Sequence, residues 1–141
     1  MKLFLDANVL VSVLNKEYPL FTYSSRILSL VSNHPKFEIY TSPLCLAIAF
    51  YFAQKKHGNQ VAKQKIDLLC QHIQIAENLK DGVLQTLDNK KIHDFEDGLE
   101  HYAAKNCNCN CIITEDISDF YFSEIETLDC KSFFNRYLLN L

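Results

Sequence analysis

Tryptophan is absent from the 141-residue chain, and glycine and proline occur only three times each. So little glycine excludes a collagen-like repeat and a flexible low-complexity linker. The glycines are scattered, so there is no glycine-rich loop to cradle phosphates, and a nucleotide cofactor is not expected. The longest apolar stretches, such as Pro43 to Ala53, fall well short of the roughly 18 residues that mark a membrane span. Neither sign of charge is in large excess, since 14 basic and 17 acidic residues give a formal −3. That excludes a globally basic nucleic-acid coat but leaves room for an enzyme with a local basic groove. A single Lys precedes Asp6, which interrupts the first apolar run, and this is not the pattern of a signal peptide. The expectation is one soluble, cytoplasmic domain over 1–141 with no membrane contact, its 48% hydrophobic content typical of a packed core.

Cysteine, by contrast, is plentiful. Cys45, Cys70, Cys107, Cys109, Cys111 and Cys130 are read as reduced thiols in an intracellular chain. Cys107, Cys109 and Cys111 form a C-x-C-x-C run, whereas structural zinc sites pair their ligands as C-x2-4-C with a second pair elsewhere. Because Cys111 leads straight into Ile112 and Ile113, small buried hydrophobes are the better reading.

Strand and helix patterns alternate along the chain. Lys2 to Leu5 reads as a strand, Val9 to Leu14 as a short helix, and a helix with a broad apolar face runs from Pro19 towards His34-Pro35. Phe37 to Tyr40 is a second strand, closed by Thr41-Ser42-Pro43 as a helix start. The helix from Leu44 to about Lys56 is apolar nearly all round, which predicts deep burial. After Gly58-Asn59 a more polar helix reaches Cys70, then Ile73 to Ala76 is a candidate third strand. Helices near Gly82 to Leu87 and Asp94 to Lys105 precede a strand at Cys111 to Thr114. A last strand near Ile125 to Leu128 and a helix from Ser132 to Leu139 complete the order. Such alternation predicts an α/β domain whose parallel sheet is covered on both faces.

Aspartates punctuate these elements. Asp6 ends the first strand and Asp116 follows the strand ending at Thr114, at the carboxyl ends where open parallel sheets gather chemistry. Each alone is better explained as a helix cap or turn residue. Asp94 and Asp97 are three apart, so a helix starting here places them on one face, with His101 a turn beyond and Phe95, Leu99 and Tyr102 as the core-facing stripe. Asp94 as N-cap and Asp97 as a dipole partner is the alternative. Brought together, Asp6, Asp97 and Asp116, with Asp94 and Asp119 nearby, repel one another and require cations or raised pKa values. Oxygen ligands suit Mg²⁺ or Mn²⁺, and the matching chemistry is hydrolysis of an RNA or DNA phosphodiester.

Three segments together resemble the PIN domain, a nuclease fold found in many toxins of bacterial toxin–antitoxin pairs. They are Leu3-Phe4-Leu5-Asp6-Ala7-Asn8-Val9-Leu10, Asp94-Phe95-Glu96-Asp97-Gly98-Leu99, and Ile112-Ile113-Thr114-Glu115-Asp116 followed by Asp119-Phe120. The resemblance spans nearly the whole chain and implies a three-layer α/β/α domain with five parallel strands in the order 3-2-1-4-5. It further implies a Mg²⁺- or Mn²⁺-dependent endoribonuclease in which Asp6, Asp97 and Asp116 hold the metal. Asp94 or Asp119 orients water or a second ion, and Asn8 and Thr114 support the site by hydrogen bonds. RNA, an antitoxin protein and a second copy of the chain are the implied partners. The family usually carries another acid, often Glu, in the helix after the second strand. Ile39 to Ile66 contains no Asp or Glu, so Ile48 or Ala49 takes that place. A PIN-fold binding or assembly module without catalysis is therefore the rival reading. Haloacid dehalogenase-like phosphatases require D-x-D, whereas the residue two past Asp6 is Asn8. Lys55 and Lys56, with His57, Lys63 and Lys65, form a basic stretch that is either a solvated helix end or a phosphate contact.

Overall fold

The computed structural model describes residues 1–141. Its strands are β1 (Lys2–Leu5), β2 (Glu38–Thr41), β3 (Gln74–Ile75), β4 (Cys111–Ile113) and β5 (Glu126–Leu128). They pair in parallel in the order β3-β2-β1-β4-β5, as the resemblance implied. The flanking helices are α1 (Ala7–Leu14), α2 (Phe21–Leu28), α3 (Leu30–Asn33), α4 (Pro43–His57), α5 (Asn59–Cys70), α6 (Lys80–Asp88), α7 (Phe95–Asn106) and α8 (Cys130–Phe133). Successive strand side chains point to opposite faces. Leu3, Phe4 and Leu5 are all fully buried, so helices cover β1 on both sides. β1 is the central strand, with Phe4 opposite Tyr40 on one side and Ile112 on the other. The chain builds outward from β1 through β2 to β3, then crosses to place β4 on the other flank. Strand order therefore reverses between β1 and β4, the position where a parallel sheet opens a crevice at its carboxyl edge.

Local chemistry fixes the helix starts. Ser42 caps α4 by accepting from the Cys45 amide at 3.2 Å, with Pro43 in the first turn. Asp94 caps α7 by accepting from the Asp97 amide at 3.0 Å. Gly58, at φ 85°, supplies the left-handed residue between α4 and α5.

Three expectations are corrected. The helix expected from Pro19 onward is two pieces, α2 and α3, joined at Ser29. Helix α4 is not deeply buried. Only Cys45, Ala49 and Ala53, spaced by four, are fully buried; Leu46, Ile48 and Phe50 pack partly against the core, while Tyr51 (52% exposed) and Phe52 stand out of it. Helix α7 is rotated from the expected orientation: Phe95 is exposed, Leu99 and Tyr102 are half-buried, and the buried face is Gly98, Glu100, His101, Ala103 and Ala104. Contact with α6 is close: a Cβ on Gly98 would lie 2.3 Å from Thr86 Cγ2 and 3.0 Å from Ile92 Cγ2, and Leu99 and Tyr102 line the crevice between α7 and α6 instead of the inner core.

Gly98→Ala therefore tests the packing. Alanine gains roughly 1 kcal/mol of helix propensity. The buried, β-branched Thr86 cannot yield freely, because its hydroxyl donates to the Gly82 carbonyl at 2.7 Å. Overpacking costs about 1–3 kcal/mol, so a net loss of stability in urea denaturation is expected. A midpoint at or above that of the wild type contradicts this account.

Candidate functional site

Asp6 follows directly on β1 and caps α1, which presents its carboxylate at the sheet edge. One oxygen, Oδ1, accepts from the Ala7 amide at 2.6 Å, and the other, Oδ2, accepts from Thr114 Oγ1 at 2.7 Å. Thr114 has one hydroxyl proton and gives it to Asp6, so its oxygen is free to accept. It receives the Asp116 amide at 3.1 Å and the Asn8 side-chain amide at 3.2 Å. Asn8 completes the clip, since its Nδ2 lies 3.1 Å from Asp116 Oδ2 and its Oδ1 accepts from the Glu115 amide at 3.2 Å. The ends of β1 and β4 are thus bound together through side chains, with Asp6 and Asp116 fixed on neighbouring strands.

The cleft above this clip has a volume of about 430 Å³. Eight carboxylates line it: Asp6, Glu17, Asp94, Glu96, Asp97, Glu100, Asp116 and Asp119. No lysine or arginine does, and Val11, Ile48 and Phe52 form an apolar wall. All five aspartates singled out in the sequence meet here. Ile48 takes the cleft position opposite them, while Ala49 is wholly buried in the core. Neither Lys55 nor Lys56 lines the cleft. Lys56 donates to the Asn15 carbonyl at 2.6 Å, and Lys55 lies over the Tyr51 ring.

Sequence reasoning missed Glu100. It is 2% exposed, and its Oε2 has no hydrogen-bond partner. Carboxylate oxygens of Asp6 and Glu100 and the sulfur of Cys45 lie within 4.8 Å of one another. The available signal was the helical spacing, because Glu100 follows Asp97 by three as Asp97 follows Asp94. It was obscured by assigning the wrong buried face to α7. His101 is corrected for the same reason: it is 1% exposed and sits away from solvent, where its Nε2 accepts the Glu124 amide at 3.1 Å. Burial holds its pKa below the usual histidine value.

Electrostatics records the crowding. Burial, reinforced by Asp94, Asp6, Asp119 and Asp116, pushes the Asp97 carboxyl up to about 7. Burial and then Asp6 push Glu100 up to about 10. Carboxylates packed this tightly with no cationic side chain among them match a divalent cation in donor chemistry, and the unpartnered Glu100 oxygen is one ligand such an ion would satisfy. The three clustered cysteines are elsewhere. Cys109 and Cys111 are buried in the core, and burial pushes both thiols up to about 12.

Comparison with known proteins identifies the fold's family. The family model described as "PIN domain" matches residues 2–118, from the first strand past the Asp116 carboxylate. The chain belongs to the PIN domain family. No curated protein matches it by sequence. Solved structures similar to this PIN domain include VapBC-1 from nontypeable Haemophilus influenzae, with a TM-score of 0.71 at 16% identity, covering 93% of this chain and 99% of that one. VapBC2 from Rickettsia felis, bound to a DNA fragment from its promoter, has a TM-score of 0.69 at 20% identity and coverages of 92% and 98%. The sarcin–ricin loop cleaving toxin VapC20 of Mycobacterium tuberculosis has a TM-score of 0.65 at 15% identity, with coverages of 88% and 98%. At these identities the likeness establishes the fold of the PIN domain. No helix in it is long and apolar enough to cross a membrane.

Proposed function

We propose that this PIN domain is a Mg²⁺- or Mn²⁺-dependent endoribonuclease acting as the toxin of a toxin–antitoxin pair. The observation that carries the reading is the convergence of Asp6, Asp97, Asp116 and Glu100 on one cleft without any basic side chain among them. Asp6, Asp97 and Asp116 are the proposed metal ligands, with Asp94 and Asp119 at the rim to orient water or a second ion. A divalent cation held by these carboxylates would supply water activation and stabilisation of the charge that builds on a phosphodiester under in-line attack. Asn8 and Thr114 act as positioning residues: they hold Asp6 and Asp116 in place through the hydrogen bonds described above. Phe52, exposed on the cleft wall, offers a face on which an unpaired base can stack, which suits single-stranded RNA. Lys55 and Lys56, on the last turn of the same helix, are proposed to meet phosphates beyond the cleft.

Two of the similar structures are VapBC assemblies and a third is a sarcin–ricin loop cleaving toxin, which supports an antitoxin partner and an RNA substrate for this chain. Pairing of two copies is part of the same proposal, through exposed apolar residues of α4 and α5 such as Tyr51, Val61 and Leu68. A cytoplasmic location follows from that role.

The test is cleavage of a mixed single-stranded RNA pool by the purified chain with Mn²⁺ or Mg²⁺. Cleavage that requires the ion and stops on chelation is expected. One observation favours a second reading: Ile48 lines the cleft where the family usually places an acid. Metal-independent RNA binding by a folded protein that cuts nothing would support a binding module instead.

A further inference from the structure

The cleft has an inner wall that the aspartates do not account for. Behind Asp6, the Glu100 carboxylate and the Cys45 sulfur converge to within 4.8 Å of it and of each other. All three are buried, and Cys45 is fully enclosed. Glu100 is the informative member. A carboxylate 2% exposed, with one oxygen unpartnered, is a costly arrangement that packing alone does not reward. It comes from α7, whereas the helix that follows β2 offers Ile48 to the cleft and Cys45 one turn earlier on the inner side.

We propose that Asp6, Glu100 and Cys45 form an inner cation position, in which Glu100 replaces the acid that α4 lacks and Cys45 supplies a sulfur ligand. The inference deepens the nuclease reading and rests on it for the identity of the cleft. Two carboxylates and a thiolate make a mixed oxygen–sulfur donor set. Such a set keeps Mn²⁺ as a partner but ranks Zn²⁺ and Cd²⁺ far above Mg²⁺, because a soft thiolate gains little from a hard ion. On coordination the Cys45 proton, and any proton on Glu100, passes to solvent, and no electron is transferred. The site is therefore selective for thiophilic divalent ions.

The experiment titrates the full chain with Mn²⁺, Mg²⁺ and Cd²⁺ by calorimetry, and follows the sulfur-to-cadmium ultraviolet charge-transfer band. Wild type, Glu100→Gln and Cys45→Ser are compared, with circular dichroism to verify folding. Glu100→Gln is expected to weaken Mn²⁺ binding at least tenfold. Cys45→Ser is expected to lose most of the cadmium band and to weaken Cd²⁺ far more than Mn²⁺, while the remaining five cysteines give a common background. A cadmium band unchanged in Cys45→Ser overturns the inference even if Glu100→Gln fails to fold. Mn²⁺ binding unchanged in a folded Glu100→Gln, beside ion-dependent RNA cleavage by the wild type, overturns it and leaves the nuclease reading standing. A wild type that binds none of the three ions overturns both.

Discussion

Asp97→Asn is expected to abolish cation-dependent RNA cleavage while leaving the cation-free protein folded, and above neutral pH more stable than the wild type. Asp97 stands in the first turn of α7, facing Asp94, Asp6, Asp119 and Asp116, whose charges add to burial in raising its pKa to about 7. Asparagine keeps the shape and removes the repelling charge. On the catalytic side, an outer-shell partner of a metal typically contributes about 10–100-fold, so loss of a direct ligand is expected to exceed about a hundredfold. On the stability side, the substitution breaks nothing that α7 depends on, because the capping bond uses the Asp97 backbone amide and not its side chain. Initial cleavage rates and thermal melts at pH 8 measure the two effects. A variant that cuts RNA at the wild-type rate removes Asp97 from the site. A variant that no longer folds shows instead that the carboxylate is structural.

Stability of the cation-free wild type should fall as pH rises, and Mn²⁺ should reverse the fall. Unfolded, Asp97 and Glu100 titrate near 3.8 and 4.5, whereas in the folded protein they are raised to about 7 and about 10. Between those limits the folded state binds more protons than the unfolded state, so each increment of pH favours unfolding. The stabilising contribution is complete below about 4 and is lost through 7 for Asp97 and onward through 10 for Glu100. An ion at one hundred times its dissociation constant adds about 2.7 kcal/mol, which for a chain of this size is roughly 5–10 °C in melting temperature. The ion competes with protons for the same oxygens, so its effect is expected to be larger at pH 8 than at pH 5. Melting curves with and without Mn²⁺ at the two values decide the matter. A cation-free melting temperature that rises with pH would contradict the electrostatic picture of the cleft.

Together these predictions turn on Asp97, which the sequence marked, and Glu100, which it did not, and the difference has a physical origin. Asp6, Asp97 and Asp116 are legible because each falls at the boundary of a strongly patterned element, where a strand or helix start fixes its direction whatever the rest of the chain does. The parallel α/β class is legible for a similar reason, since strand and helix periodicities alternate through the whole chain. The strand order came only from the resemblance to the PIN domain that the three acidic segments carry. Many element limits agreed to within a few residues, as at β1, which spans Lys2–Leu5 as expected, whereas the last helix expected from Ser132 to Leu139 is α8 over Cys130–Phe133 followed by a π-helical turn over Phe134–Leu138.

Which face of a helix becomes buried is a different kind of question. Leu99 and Tyr102 are more apolar than Glu100 and His101, and a pattern of hydrophobicity alone turns them inward. The fold leaves them half-buried in the crevice between α7 and α6, where Gly98 also meets Thr86 with no space for a Cβ, and turns Glu100 and His101 inward. In α4 the same preference for small contacts buries Cys45, Ala49 and Ala53 and leaves Tyr51 and Phe52 outside. The sequence by itself determined the elements, their order and the aspartates at their ends, since these depend on local periodicity and capping. Only the tertiary structure decided that Glu100 and Cys45 stand beside Asp6, because that depends on how near two helices can come.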